Sequence, residues 1–312
     1  MESRVVTADL HSHLLEKKVK PLKYWQGVQK AGLDVIAITE HAEYNPKKAF
    51  ELVNEKKPEG ILLIPGTELF TSLGHVIALG ESSEIYEIPE LLEKGVSIEK
   101  AVELARENRI VLSFAHPWGF DSDSVAYVGG VSKLRHYAVH GSMGVEAYNG
   151  MIGTLAESVL RSKWVKKPIG FFAYMEKNRL SRSAGIGKIM GSIKKKLDKK
   201  AYDIIQRNLN AMEFGEEANF ITAGSDAHFP DRIGTGILKL KVSSERILSE
   251  ASFLEALKDK SNVIWAGPPS VEVKEGVFQK KRLGVKKSEL LGGFKYVMKR
   301  RIFRRKKPKS KG

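Results

Sequence analysis

The sequence predicts an α/β fold with a barrel-like parallel sheet, on three observations. Short apolar runs rich in β-branched residues recur along the chain, stretches of helical spacing separate them, and most runs end abruptly on polar side chains. Short strands alternating with helices argue for parallel strands joined by crossovers. Seven candidate strands spread over about 260 residues fit a barrel better than an open sheet. At 312 residues and 42% hydrophobic content, the chain has the length and composition to bury a large core.

The elements follow in order. Val5-Val6-Thr7-Ala8 reads as a strand that stops at Asp9-Leu10-His11-Ser12-His13. From Tyr24 to Gly32 apolar residues fall at helical spacing, and Gly32 suits a C-cap. Val35-Ile36-Ala37-Ile38-Thr39 is the next strand. Ile61-Leu62-Leu63-Ile64 leads to Pro65-Gly66-Thr67-Glu68, and His75-Val76-Ile77-Ala78-Leu79 follows closely enough to pair beside it. Ser97 to Asn108 reads as a helix with Ser97 as N-cap, although Lys100 stands where a capping box has Glu or Gln. Ile110 to Ala115, Gly144 to Tyr148 and Ala218 to Ala223 supply further strands, and Ser252 to Leu257 a helix before Val263-Ile264-Trp265. The interval of about 70 residues between Asn149 and Phe220 exceeds what one crossover helix needs. The expected organisation is a barrel over residues 1–275, with a basic helical insertion at about 150–215, and a Lys/Arg-rich tail over 276–312.

Charge is informative once located. The chain carries a formal +15, yet residues 161–200 hold 13 Lys/Arg against 2 Asp/Glu, and residues 277–312 hold 15 against 1. Two blocks therefore contribute +11 and +14, and the remainder is acidic. Such blocks could track a phosphate backbone, and apolar residues such as Phe294, Tyr296 and Phe303 among the cations would also suit an anionic lipid surface. A solvated tail is the plain alternative. The chain has no cysteine, which excludes disulfides, thiolate metal sites and Cys nucleophiles, and fits a cytoplasmic protein. No secretory signal and no membrane span is expected.

The strand ends carry the chemistry. They bear Asp9, His11 and His13; Glu40 and His41; Glu68; His116; Asn149; and Asp226 with His228, while His75 opens its own run. Six of the eight histidines occupy these positions. In parallel α/β folds the C-terminal strand ends open onto one face, so groups far apart in sequence would converge there. Imidazoles and carboxylates without thiolates suit Zn, Mn or Fe, and their number exceeds the needs of one ion. His136 and His140, with no strand before them, are read as surface or core histidines.

Seven pieces together resemble the polymerase-and-histidinol-phosphatase (PHP) family of metal-dependent phosphoesterases. They are Asp9-Leu10-His11-Ser12-His13, Ile38-Thr39-Glu40-His41, Pro65-Gly66-Thr67-Glu68, His75 to Gly80, Ala115-His116-Pro117, Glu146-Ala147-Tyr148-Asn149 and Gly224-Ser225-Asp226-Ala227-His228. The resemblance covers residues 5 to about 267 and implies a distorted (β/α)7 barrel. It implies one ion held by His11, His13, Glu68 and Asp226, a second sharing Glu68 with His75 and His116, and a third using His41 and His228. Two departures stand out. Glu40 replaces the family's usual Asp, and Lys18 and Val19 stand where the family places a third-ion ligand. Glu16 is the nearest replacement, otherwise Lys18 supplies fixed positive charge; the expectation is two firmly bound ions.

Ions sharing ligands would lower the pKa of a bridging water to near about 7 and neutralise phosphoryl oxygens. The expected function is therefore hydrolysis of a phosphate ester, with a nucleotide as favoured substrate. A nuclease using the basic segments is the alternative, and a nucleic-acid or membrane-surface adaptor with a vestigial site ranks below both. Asp226 is placed to orient the nucleophile, and His228 or His41 to assist the leaving oxygen. Lys18, Asn149 and Arg232 are candidates for substrate contact, Asn149 equally for a place behind the ligands. Asp9, Glu16 and Glu40 are candidates for either role at the metals.

Overall fold

The computed structural model describes residues 3–161, 186–244, 248–269, 272–274 and 277–279. Nine strands form one sheet in the order β7-β6-β5-β4-β3-β2-β1-β8-β9. In chain order they are β1 (Ser3–Asp9), β2 (Val35–Ile38), β3 (Leu62–Thr71), β4 (Gly74–Leu79), β5 (Val111–Phe114), β6 (Gly144–Asn149), β7 (Ile221–Gly224), β8 (Ile237–Ser243) and β9 (Val263–Gly267). A short hairpin of β10 (Glu272–Lys274) and β11 (Val277–Gln279) stands apart from this sheet. The helices are α1 (Pro21–Ala31), α2 (Pro46–Asn54), α3 (Pro89–Leu92), α4 (Ile98–Glu107), α5 (Val125–Val128), α6 (Val131–Ala138), α7 (Gly150–Arg161), α8 (Ile186–Gly215) and α9 (Glu250–Lys258).

The sheet is mixed, which corrects the expectation of parallel strands throughout. β1-β2, β2-β3, β5-β6 and β6-β7 pair in parallel, but β4 runs antiparallel to both β3 and β5, and β8 antiparallel to β1 and β9. The cause is local: only Ser72 and Leu73 separate β3 from β4, a connection long enough for a hairpin and far too short for a crossover. The reversal explains how His75, at the start of its strand, joins side chains that end theirs. His75 pairs with Phe70 near the end of β3, and its carbonyl accepts from Ala115 just past β5. β3 also continues through Pro65-Gly66-Thr67-Glu68 rather than stopping before them.

The sheet curls so that edge strand β7 meets the chain beyond β1 at the rim. Beyond β1, Leu10 donates to Ala223 of β7 at 3.2 Å, Asp226 donates to the His11 carbonyl at 2.7 Å, and His13 donates to Ala227 at 2.9 Å. Closure depends on Gly224, since a Cβ there would sit 2.3 Å from the His11 Cβ. Helix α9, whose N-cap Ser249 forms a reciprocal box with Ser252, sinks Phe253, Leu254 and Leu257 into the apolar cluster with Val6, Val35, Leu79 and Val111. These strand residues lie at the end away from the histidines, so α9 closes the barrel floor.

Outside the barrel, α1 and α2 cover β2 and β3 through Tyr24, Val28, Ala49 and Val53, and α4 with α6 covers β4 to β6 through Leu104, Leu134 and Tyr137. Gly32 caps α1 at φ 66 as its sequence position suggests, and the Ser97 hydroxyl accepts from the Lys100 N–H at the start of α4. The 150–215 interval contributes helices α7 and α8, packed on each other and on β6. Most of the two basic blocks lies outside the described residues. Among the described residues no helix is long and apolar enough to cross a membrane.

Candidate metal centre

All eight residues singled out as ligands converge on one rim. Glu68, inward-facing and 2% exposed, stands at the middle. Its Oε2 lies 3.4 Å from His11 Nε2, 3.5 Å from His13 Nε2 and 2.9 Å from His41 Nδ1. Its Oε1 lies 2.7 Å from His75 Nδ1 and 3.1 Å from His116 Nε2. One carboxylate thus faces two sets of imidazoles, one with each oxygen. Asp226 Oδ1 adds to the first set, 3.8 Å from His11 Nε2 and 3.4 Å from His13 Nε2.

The 3.4–3.8 Å spacings among His11, His13, Glu68 Oε2 and Asp226 Oδ1 are those of donors sharing an ion, while the shorter contacts of Glu68 with His41, His75 and His116 are hydrogen bonds. Two ligand atoms about 2.1 Å from one ion at tetrahedral angles lie about 3.4 Å apart. At such separations His11 Nε2 and both ring nitrogens of His13 are buried with no hydrogen-bond partner. Leaving a buried polar atom unpaired costs about 1–3 kcal/mol, so three within one cluster call for a cation. His11, His13 and Asp226 place ligand atoms within 4.8 Å of one another, as do His41, Glu68 and His75, and as do His13, His41 and His228. Nitrogen and oxygen donors without sulfur fit Zn, Mn or Fe. The residues present therefore fit the divalent ions the motifs imply.

Three of the imidazoles are aimed by a partner on the other nitrogen. His11 Nδ1 lies 3.0 Å from Glu146 Oε1, His116 Nδ1 lies 3.2 Å from Ser124 Oγ, and His228 Nδ1 lies 3.0 Å from the Asp226 carbonyl. Such partners fix ring orientation and raise ligand basicity. Glu146 and Ser124 were not singled out by the strand-end reading. Glu146 also accepts from the His116 N–H at 2.7 Å and from Asn149 Nδ2 at 3.0 Å, so one carboxylate holds parts of both ligand sets. The signal available was its place: an acid in the middle of the apolar strand Val145-Glu146-Ala147 has to face a partner.

The other candidates sort by contact. Asp9 is a brace: its carboxylate accepts from the N–H groups of His11, Ser225 and Gly234, tying the ends of β1 and β7 together. Burial raises its pKa to about 6 against those bonds. Glu40 likewise gathers the first loop, accepting from Leu14 at 2.8 Å and from Leu15, with His13 Nδ1 3.5 Å away. The extra methylene of Glu relative to Asp is what spans that distance. Glu16 reaches the mouth, its Oε2 2.5 Å from His228 Nε2 and 3.7 Å from His41 Nε2, with Lys17 on its other oxygen. Lys18 is exposed on a turn at φ 53, so the cation paired with Glu16 is Lys17. Asn149 is buried behind the ligands, donating to Glu146 and, at 3.2 Å, to Asp226 Oδ2, which corrects its reading as a substrate contact. Arg232 is 8% exposed in the turn after β7. His136 and His140 are exposed on and just past α6, away from the rim.

The electrostatics follow from crowding carboxylates and imidazoles out of water. Burial alone would lower the His41 and His116 pKa values, yet Glu68 overrules it and raises both to about 9. His11 is likewise raised, by Glu146, Asp226 and Glu68. Glu68 and Asp226, although buried, are held well below the usual carboxylate range by the surrounding imidazoles. Strain is concentrated here too. His116 and Asp226, each two residues past its strand, have φ of 30 and 52, in the left-handed region that non-glycine residues rarely adopt. The rings of His41, His75 and His228 are 18%, 11% and 16% exposed, whereas His11 and His13 are shut away, so solvent reaches the cluster from the Glu16 side.

A mixed α/β barrel thus gathers at one rim a cluster of histidines and carboxylates that suits divalent metal ions. Residues 206–261 match the family model described as PHP-associated, a stretch that includes Asp226, His228, β8 and α9. The match overlaps one of the seven pieces that resemble the PHP family, Gly224-Ser225-Asp226-Ala227-His228. Among solved structures, the chain is similar to one from Bifidobacterium adolescentis, provisionally named a metal-dependent phosphoesterase, at 12% identity and a TM-score of 0.41 over 81% of this chain and 96% of that one. No curated protein matches the chain.

Proposed function

We propose that the chain is a metal-dependent phosphoesterase that hydrolyses a phosphate ester of a nucleotide. The observation that carries this reading is Glu68, whose two oxygens face two separate histidine sets as a carboxylate bridging two ions would. Divalent ions bound there supply Lewis acidity toward phosphoryl oxygens and make hydroxide available at neutral pH. His11, His13, Asp226 and Glu68 Oε2 would hold one ion, and Glu68 Oε1, His75 and His116 the second.

Asn149 occupies Oδ2 of Asp226, which leaves Oδ1 turned into the cluster to orient an attacking water. His41 and His228 stand on the open side, where neighbouring carboxylates raise the pKa of both rings, to about 9 for His41, and where either imidazole is placed to donate a proton to a leaving alkoxide. Glu16, with these two rings, supplies a third and more open ligand set. Lys17 already offsets the Glu16 charge, so two firm ions remain our reading. Support for a nucleotide comes from exposed aromatic faces at the mouth: Tyr44 lies 6.0 Å from the His41 ring and is 48% exposed, and Phe229, next to His228, is 37% exposed. Such faces accept a base by stacking.

The test is a panel of nucleoside monophosphates, non-nucleotide phosphomonoesters, dinucleotides and labelled oligonucleotides assayed with Mn2+. Phosphate release from mononucleotides, lost on chelation and restored by Mn2+ or Zn2+, is the expected result; His11→Ala and Asp226→Ala should abolish it. Preferred cleavage of oligonucleotides would replace this reading with the nuclease. Turnover indifferent to chelator would overturn both.

A further inference from the structure

Helix α8 reaches the metal centre through two consecutive residues. Arg207 bonds the Gly119 carbonyl in the loop after His116, with Asp121 3.8 Å away and the Tyr127 ring 6.0 Å away. Asn208, 7% exposed, closes a reciprocal pair on the backbone of Asn149: the Asn149 N–H donates to Asn208 Oδ1 at 3.2 Å, and Asn208 Nδ2 donates to the Asn149 carbonyl at 3.0 Å. Asn149 is the residue whose amide is shared between Glu146 Oε2 and Asp226 Oδ2. Its own Oδ1 accepts from Ile152 at 3.1 Å, which fixes which end of the amide faces the carboxylates.

We propose that Asn208 is a positioning residue that sets the Asp226 carboxylate through Asn149. The chain of contacts is continuous and every link is buried. With both backbone groups of Asn149 clamped by a helix and its Oδ1 held by the Ile152 N–H, the amide presents its two N–H groups to two acids. Asp226 therefore keeps Oδ1 toward His11 and His13, and Glu146 keeps Oε1 on His11. Release of the clamp would leave the ligands in place and their aim loose, lowering metal affinity before it lowers folding. A side chain on α8, far from the ligands in sequence and touching none of them, thereby governs how well the first ion is held. This inference rests on the metal centre proposed above.

The experiment titrates metal-free full-length protein with Mn2+ by calorimetry and records thermal unfolding of the same samples, for wild type, Asn208→Ala, Asn149→Ala and the double variant. Wild-type binding comes first: no Mn2+ uptake would overturn the metal-centre reading itself. Given uptake, Asn208→Ala and Asn149→Ala should each weaken binding by about tenfold. The double variant should bind no more weakly than Asn149→Ala alone, because without the amide nothing remains for Asn208 to aim, while its loss of thermal stability should exceed that of either single variant. Affinity losses that multiply, or unchanged affinity in Asn208→Ala, would overturn the positioning role and leave the metal centre standing. Should Asn208→Ala fail to fold, Asn208→Asp carries the test, since it keeps the acceptor and loses the donor. Weakened binding in a folded Asn208→Asp supports the role, and wild-type affinity overturns it.

Discussion

Replacing Glu68 by Gln removes one charge and almost no volume from the middle of the cluster, and the geometry says how much should follow. Structural zinc sites bind with about 10–16 kcal/mol shared among four ligands, or about 3–4 kcal/mol per ligand. At 1.4 kcal/mol per factor of ten, loss of one anionic ligand weakens an ion by two to three orders of magnitude. Glu68 faces His11 and His13 with one oxygen and His75 and His116 with the other, so both ions should suffer. The His116 ring faces Glu68 Oε1 and not Oε2, so His116→Ala should weaken only one. The metal-free fold should survive Glu68→Gln, because a neutral amide can still pair with neutral imidazoles. The assay is elemental analysis after dialysis against micromolar Mn2+ or Zn2+. Glu68→Gln should retain no ion that wild type retains, and His116→Ala one fewer than wild type. A Glu68→Gln protein with the full wild-type complement would refute the bridging argument.

Three further outcomes follow from the same contacts. Because Glu68 raises His41 and His116 to about 9, both rings carry a proton in the metal-free protein at pH 7.5, and His116 must lose its own to bind an ion. Calorimetry in buffers of different ionisation enthalpy should therefore show proton release on metal uptake, and proton uptake would contradict the assignment. A raised folded-state pKa stabilises fully below the unfolded value of 6.5 and loses that contribution as pH rises through 9, so metal-free protein should melt at lower temperature at pH 9 than at pH 6.5, while metal affinity rises over the same range. Glu146→Gln should weaken metal binding by about 10–100-fold through loss of control over His11, and wild-type affinity would show that the Glu146 contact is incidental.

Much of this centre is legible in the sequence because its ligands interrupt apolar strands. His11, His13, His41, His116, Asp226 and His228 each stand just past a buried run, and the parallel pairs of the sheet gather such ends at one rim, where Glu68 joins them from inside β3. His75 belongs to the same rim for a different reason, the β3-β4 hairpin, which the two-residue spacing of Ser72 and Leu73 encodes. Strand β8 is legible in principle, since Leu238, Leu240 and Val242 turn inward between Lys239 and Lys241. A reading tuned to unbroken apolar runs passes over that alternation. Glu146, Ser124 and Asn208 are harder. Their roles lie in contacts 8 to 135 residues away along the chain, and nothing local distinguishes a carboxylate that aims a histidine from one that binds an ion. Asn149 shows the same limit: its strand-end position was visible, but only the fold shows that its amide faces Asp226 and Glu146 rather than a substrate.

The most direct measurement is anomalous diffraction from crystals soaked in Mn2+. Two peaks about 3.5–4 Å apart, one against each oxygen of Glu68, are the predicted result. A single peak, or peaks away from Glu68, would contradict the account.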